Sequence, residues 1–237
     1  MKGAMGIMYL LPMPLGIEGV ESLGVKGIQK LGELDYFIAE RARTFRRFLK
    51  EILPETNFEN ITVHEWSKGT LESELEVLLK PLSMGKEIGI VSEAGCPGIA
   101  DPGALAVKLA HQYGCKVVPI AGPSAVLLAL MSSGFNGQQF RFHGYLPREK
   151  NELLNKLVQL EKSVRQSGCT EIFIETPYRN NQLLEAAIQA LHRDTHLAIA
   201  ADLTLPEEFI RRDSIGNWKT KERPQLHKRP AVFLIGR

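Results

Sequence analysis

Residues 88–130 read IGIVSEAGCPGIADPGALAVKLAHQYGCKVVPIAGPSAVLLAL, and they decide the fold. Two apolar runs of strand length, Glu87 to Ser92 and Lys116 to Ile120, each lead into a turn rich in glycine and proline. The first turn holds Gly95-Cys96-Pro97-Gly98 and Asp101-Pro102-Gly103; the second is Ala121-Gly122-Pro123-Ser124. Glycine lacks a Cβ and proline fixes the local path, so such turns let backbone come close to a ligand. In an open α/β sheet they fall at the carboxyl ends of the strands, where ligands bind. The chain has no G-x-G-x-x-G after a strand and no G-x-x-x-x-G-K-[ST], which removes the usual support for a dinucleotide or a P-loop nucleotide. A nucleoside cofactor without a pyrophosphate needs fewer helix-terminus amides and more edge contacts from backbone, and it fits these turns better.

Working outward, strands are expected at Gly6 to Leu11, Tyr36 to Ala39 and Ile61 to His64 in addition to the two above. Helices are expected at Ser22 to Leu31, Ala42 to Ile52, Leu71 to Leu82 and Gly103 to Tyr113. Repeated strand–helix alternation of this kind predicts a mostly parallel sheet covered on both faces. After Gly122 the rhythm changes. A helix from Ser124 to Met131, a strand at Phe140 to His143, a helix from Glu149 to Arg165, a strand at Glu171 to Glu175 and a helix from Asn180 to Leu191 come first. Three strand-like runs follow, Leu197 to Leu203, Phe209 to Asp213 and Ala231 to Ile235, with little helical sequence between them, which predicts antiparallel pairing. The expectation is two α/β domains, 1–122 with a mostly parallel sheet and 123–237 with a mixed sheet, and a cleft between them.

Composition excludes several classes. With 44% apolar and 24% charged residues the 237-residue chain is an ordinary globular sequence, long enough to bury a core without staples. Twenty-nine basic against 27 acidic side chains leave a net charge of only +2, so any nucleic-acid site must be local. Cys96, Cys115 and Cys169 are unevenly spaced with no C-x-x-C, which argues for reduced thiols in a cytoplasmic protein and against a disulfide framework or a zinc site. The six histidines are scattered, with only His192 and His196 four apart and no further ligand residues at metal spacing, so no metal is expected. The apolar run Ile7 to Leu15 is too short to cross a bilayer, and no membrane partner is expected.

Glu93, Asp101, Glu175 and Asp202 all fall at expected strand ends or in the loops just beyond. Acidic residues there commonly cap helices and brace turns, and Asp101 before Pro102-Gly103 is the strongest candidate for that role. Glu175 and Asp202 are the candidates for polar or catalytic roles, though neither is assigned as a base. Arg43, Arg46, Arg47 and Lys50 share one helix face, and Lys219 to Arg229 forms a second basic stretch. Either could be a solvated surface or a row of phosphate contacts.

Ser92 to Gly103, SEAGCPGIADPG, resembles the S-D-A-G-x-P-x-I-S-D-P-G loop of tetrapyrrole-methylase-like enzymes, and PIAGPSA at Pro119 to Ala125 resembles their P-x-P-G-P-x-A turn. Leu10 to Gly16, Ala39 to Arg47, Phe173 to Arg179 and Ala200 to Thr204 resemble the V-G-T-P-I-G, A-E-D-T-R-x-x-R-R, F-Y-E-S-P-x-R and A-R-E-L-T segments in the same order, and Arg229 to Ile235 takes the place of a G-E-x-V-L-I strand. The branch most resembled methylates a cytidine ribose 2'-hydroxyl in small-subunit ribosomal RNA. The resemblance implies a methyltransferase that uses S-adenosylmethionine, held by Pro14, Ser92, Glu93, Ala94, Gly95, Ile99, Ala100, Asp101, Ser124, Ala125, Thr176, Leu203 and Ala231. It further implies an RNA substrate met by Arg43, Arg46 and Arg47, and a homodimer. The sequence departs from the pattern at Arg41 and Ala42, Ala201, Leu205 and Arg229-Pro230, where the branch has Asp and Thr, Arg, Lys and Gly-Glu. Methylation of a tetrapyrrole ring carbon, or a cofactor-binding module without transfer activity, are the alternative readings.

Overall fold

The computed structural model describes residues 5–67 and 69–237. The chain divides into two compact units, the first ending at Ser124 and the second running Ala125–Arg237.

The first unit alternates β1 (Ile7–Leu11), α1 (Gly24–Glu33), β2 (Tyr36–Ala39), α2 (Ala42–Ile52), β3 (Thr62–Glu65), α3 (Glu72–Ser83), β4 (Ile88–Val91), α4 (Gly103–Gln112) and β5 (Lys116–Pro119). Its sheet has the order β3-β2-β4-β1-β5, with every pair parallel. The inner strands β2, β4 and β1 are short and apolar because both faces are covered, while the edge strands β3 and β5 carry exposed polar residues. Side chains alternate along β2: Tyr36 and Ile38 join a core with Leu75, Leu79, Leu82, Leu109 and Ala110 of α3 and α4. Phe37 and Ala39 point the other way, into a core with Leu31 of α1 and Phe45, Phe48 and Leu49 of α2. The helix expected from Ser22 begins later. Residues Ile17–Leu23 form a tighter 3₁₀ segment that kinks at Gly19, and α1 follows from Gly24.

The second unit contains α5 (Ala125–Ser133), β6 (Phe140–Tyr145), α6 (Lys150–Ser167), β7 (Thr170–Ile174), α7 (Asn180–Ala190), β8 (His196–Ala201), β9 (Phe209–Ser214), α8 (Ile215–Thr220) and β10 (Ala231–Gly236). Its sheet has the order β6-β7-β10-β8-β9; β6 and β7 are parallel and the other pairs antiparallel. Phe173 and Phe233 stack with centroids 6.0 Å apart inside one core shared with α6, α7 and Trp218. Helix α6 starts where the Glu149 carboxylate accepts the Asn151 and Glu152 N–H groups, and it ends at Gly168 in the left-handed region.

The last three strands pair antiparallel as expected, and one short helix lies among them. The run between β9 and β10 carries α8, six residues that are too short to show a period. Ser214 Oγ accepts the Asn217 N–H at its start, Ile215 and Trp218 are fully buried, and Trp218 Nε1 donates to Leu197 O at 3.0 Å. A single tryptophan anchor, not an apolar stripe, makes this turn helical. Among the described residues no helix is long and apolar enough to cross a membrane.

Candidate cofactor and substrate residues

In the first unit the loops beyond β1, β4 and β5 interlock at the carboxyl end of the sheet. Met13 and Gly95 exchange both backbone hydrogen bonds, at 2.9 and 3.0 Å, tying the β1 loop to the β4 loop. Ser92 Oγ, buried, donates to Gly95 O at 2.9 Å and closes the first bend after β4. The Cys96 thiol donates to Pro123 O at 3.2 Å, linking the β4 loop to the β5 loop. Gly122 completes the ring because a Cβ there would lie 2.2 Å from Pro12 Cγ, and no side chain fits. Asp101 Oδ1 accepts the N–H groups of Gly98 and Gly103, the latter at 2.8 Å, so the capping role is the one it fills.

The platform thus built leaves Glu93, Ala94, Ile99 and Ala100 exposed while Pro14, Ser92, Gly95 and Ser124 are buried beneath it, with Ala125 half-buried at the start of α5. Ala100 sits at φ 62°, a left-handed conformation that costs about 1 kcal/mol for a residue with a Cβ. Burial pushes the carboxyls of Glu40, just past β2, and Asp101 above their ordinary values, and the Asp101 charge adds to the effect at Glu40. A nearby cation would relieve both. Glu40 Oε2 also accepts the Glu93 N–H at 3.2 Å, and Glu93 pairs with Arg41 at 3.3 Å on the surface. Burial likewise raises the Cys96 thiol, which keeps it protonated and unreactive.

The second unit gathers its expected residues at the ends of β7 and β8 and the start of β10. Because β7 and β8 both pair antiparallel with β10, their carboxyl ends share one edge, where Glu175, Thr176, Asp202, Leu203 and Ala231 stand. Both carboxylates are engaged. Glu175 is buried, accepts the Thr176 N–H at 2.7 Å and has Arg179 Nε 3.2 Å away, out of line for a hydrogen bond. Asp202 accepts from Arg229 Nε, and the same guanidinium donates to Glu207 O at 2.6 Å. Asp202 and Thr204 both have positive φ, 47° and 69°, and Thr204 Oγ1 is buried without a partner. For a β-branched residue this is a true outlier. A surface hollow of about 640 Å³ opens here, lined by Asp202, Leu205, Glu207, Glu208, Phe209, Lys228 and Arg229.

Helix α2 presents Arg43, Arg46, Arg47 and Lys50 to solvent and buries Phe45, Phe48 and Leu49, as the spacing requires. Its N-terminus lacks a side-chain cap of its own; Glu65, from the end of β3, accepts the Ala42 N–H at 3.0 Å instead. The three arginines are not equivalent, since Arg46 donates to Val63 O at 3.1 Å. The second basic stretch is largely neutralised. Lys221 pairs with Asp213, Arg223 with Glu185 and Arg229 with Asp202, leaving Lys219 and Lys228 without an acidic partner among the described residues. No group of three histidine, cysteine or acidic side chains among the described residues could hold a metal ion.

A family model described as tetrapyrrole (corrin/porphyrin) methylases matches residues 13–218. The chain belongs to this family. Among its relatives, ribosomal RNA small subunit methyltransferase I of Bacillus subtilis is 38% identical over 89% of this methylase and 68% of the relative. The proteins of that name from Vibrio cholerae and Synechocystis are each 31% identical, over 86% and 87% of this chain and 67% and 71% of theirs. The solved structure of uroporphyrin-III-C-methyltransferase from Thermus thermophilus shares the fold, with a TM-score of 0.56 and 17% identity over 98% of this chain and 92% of that one. Two residues of this methylase's strand ends escape sequence reasoning as functional candidates, Glu40 and Arg229. Glu40 follows directly after a strand, which is a usable signal; Arg229 meets Asp202 from 27 positions away, which is none.

Proposed function

We propose that this methylase transfers the methyl group of S-adenosylmethionine to RNA of the small ribosomal subunit, with a cytidine ribose 2'-hydroxyl as acceptor. The observation that carries this reading is the interlocked platform of the first unit, taken with relatives of 31–38% identity that bear a small-subunit RNA methyltransferase name. A sulfonium cofactor fits the platform's chemistry. Glu40 and Asp101, whose burial disfavours unpaired carboxylates, would favour a positively charged ligand, and the exposed Ala94, Ile99 and Ala100 would offer it apolar contact. The cofactor supplies an activated methyl group for an in-line displacement, and no covalent intermediate with the protein is needed.

What the chain contributes is placement, an effect worth about 7 to 11 kcal/mol when orientation is ideal. The candidate cofactor residues Pro14, Ser92 to Gly95, Ile99 to Asp101, Ser124 and Ala125 supply a firm floor, because Met13 and Gly95 bond the β1 and β4 loops backbone to backbone and the Cys96 thiol ties the β5 loop to them. Glu175 and Asp202 are better suited to orienting groups than to removing the hydroxyl proton, since each carboxylate already faces an arginine. Thr176, Leu203 and Ala231 offer backbone at the same sheet edge. Arg43 and Arg47 are free to meet phosphates. We read the working form as a cytoplasmic homodimer.

Titration calorimetry with S-adenosylmethionine and its demethylated product is expected to show binding, and small ribosomal subunits from a strain lacking the enzyme are expected to accept labelled methyl. Absence of heat at millimolar ligand with folded protein would overturn the cofactor. Binding without transfer to subunits at any assembly stage would overturn the acceptor. Ala125→Trp should block the cofactor and leave the fold intact; unchanged affinity would make that loop a turn and nothing more.

A further inference from the structure

Two loops of the second unit are laced together beside the ends of β7 and β10. Lys228 N–H donates to Pro177 O at 3.0 Å, Leu226 N–H to Asn181 Oδ1 at 2.8 Å, and Asn180 Nδ2 to Arg229 O at 2.6 Å. Arg179 N–H closes the 3₁₀ turn Pro177–Arg179 onto Thr176 O at 2.8 Å. This lacing holds Lys228 at φ 65°, a conformation that a residue with a Cβ rarely adopts without being held there.

The rigid pair of loops carries an exposed aromatic face. Tyr178 leaves 66% of its surface in solvent, and the exposed His227 ring packs against it at 74° with centroids 5.6 Å apart. The packing fixes the tyrosine without covering it. Lys228, next in the chain, is exposed and has no acidic partner among the described residues. Arg179 donates to Arg148 O at 3.1 Å, which brings the exposed Arg148 backbone to the same turn. A fixed, solvent-facing aromatic ring beside a free cation is the arrangement by which proteins stack unpaired bases while meeting the neighbouring phosphate.

We propose that Tyr178, steadied by His227, is a stacking platform for an unpaired base of the RNA, with Lys228 on an adjoining phosphate. The proposal rests on the reading of RNA as acceptor and adds to it a specific contact. It sets the ring one turn from Thr176, at the edge where Glu175 and Asp202 lie. A base held there would stand splayed from its helix, the state in which a ribose hydroxyl is free to approach a methyl donor.

The test measures binding of an unstructured 12-nucleotide RNA and methyl transfer to small ribosomal subunits for the parent, Tyr178→Ala, Tyr178→Phe and Lys228→Ala. Tyr178→Ala should weaken oligonucleotide binding about tenfold with its salt dependence unchanged, and Tyr178→Phe should restore it. Lys228→Ala should instead flatten the salt dependence by about 0.7 in log–log slope. Thermal midpoints and affinity for S-adenosylmethionine should stay at parent values throughout. If the parent binds RNA and methylates subunits while Tyr178→Ala does both equally well, the stacking site is wrong and the RNA reading stands. If the parent neither binds RNA nor methylates subunits, both fall together.

Discussion

In the first unit the strand ends are joined mainly through backbone: Met13 and Gly95 exchange both hydrogen bonds, Ile120 N–H donates to Leu10 O, Gly122 lies against the Pro12 ring, and only the Cys96 thiol on Pro123 O adds a side-chain bond. In the second unit the corresponding edge is held by side chains, Arg229 on Asp202 and the Glu207 carbonyl, Arg179 facing Glu175, and Asn180 on the Arg229 carbonyl. In the first unit glycine and proline carry most of these turns, with Ala100 left-handed as well; in the second Asp202, Thr204 and Lys228 are left-handed, held by Arg229 on the Asp202 carboxylate, the Glu208 carboxylate on the Thr204 N–H and the Pro177 carbonyl on the Lys228 N–H. A backbone-built surface is stiff and small, and it suits a cofactor of fixed shape. A side-chain-built surface can be re-specified by changing one arginine.

The largest effect should come from forcing the backbone-built surface open. Gly122→Val places atoms where Pro12 already stands, so the β1 and β5 loops must part, at a cost of about 3 kcal/mol. Urea unfolding should register that loss, and calorimetry should show cofactor binding fall with it. Unimpaired cofactor binding would mean that the interlock is incidental to the ligand.

Next in size is the second unit's anchor. Arg229→Met removes the partner of Asp202, whose side chain is only 11% exposed, and should cost about 2 kcal/mol by leaving that carboxylate without a countercharge. Adding Asp202→Asn should recover part of the loss, a coupling that a double-mutant cycle measures directly. If the two substitutions are additive, the edge is not held by this pair and the contrast between the units collapses.

The same contrast explains what the sequence alone could tell. Strands and helices of the first unit are readable because most are separate apolar or amphipathic runs, and β2 and α2 lie where the alternation and the arginine face put them. The platform residues are readable because Gly95, Pro97, Gly98 and Gly122 are local signs of a close backbone approach. In the second unit α8 escapes such reading because Trp218, one buried anchor on Leu197 O, decides it. The basic stretch from Lys219 reads as free charge because its partners Asp213, Glu185 and Asp202 are 8, 38 and 27 positions away. Periodicity cannot carry contacts of that range.

A third, smaller test concerns Asp213, which braces β9 to α8. Burial opposes its ionisation, yet hydrogen bonds from Asn217, Arg211, Lys221 and the Ser214 N–H more than offset this and hold the carboxyl well below its ordinary value. A depressed folded pKa contributes stability that is fully present above the unfolded value of about 3.9 and is lost as pH falls toward the folded one. Asp213→Asn should therefore be less stable than the parent at pH 7, by about 1.5 kcal/mol, with the gap narrowing below pH 4 in urea titrations. A gap that stays constant with pH would show that shape, not charge, is what the second unit uses here.

The smallest effects separate the arginines of α2. Arg46 donates to Val63 O, so Arg46→Ala should cost about 0.5 kcal/mol by removing the hydrogen bond between α2 and the end of β3. Arg43 and Arg47 make no such bond among the described residues, and their alanine variants should leave stability within about 0.5 kcal/mol of the parent. Their effect belongs to RNA. Removing one phosphate-binding charge should flatten the salt dependence of binding by about 0.7 to 0.9 in log–log slope, equally for all sequences, with cofactor affinity unchanged. Should Arg46→Ala alter RNA binding as much as Arg43→Ala or Arg47→Ala, its bond to Val63 O yields when RNA arrives, and the first unit would then use a movable side chain as the second unit does. Should none of the three alter it, α2 is a solvated face and the RNA contacts lie with Lys228 and its neighbours.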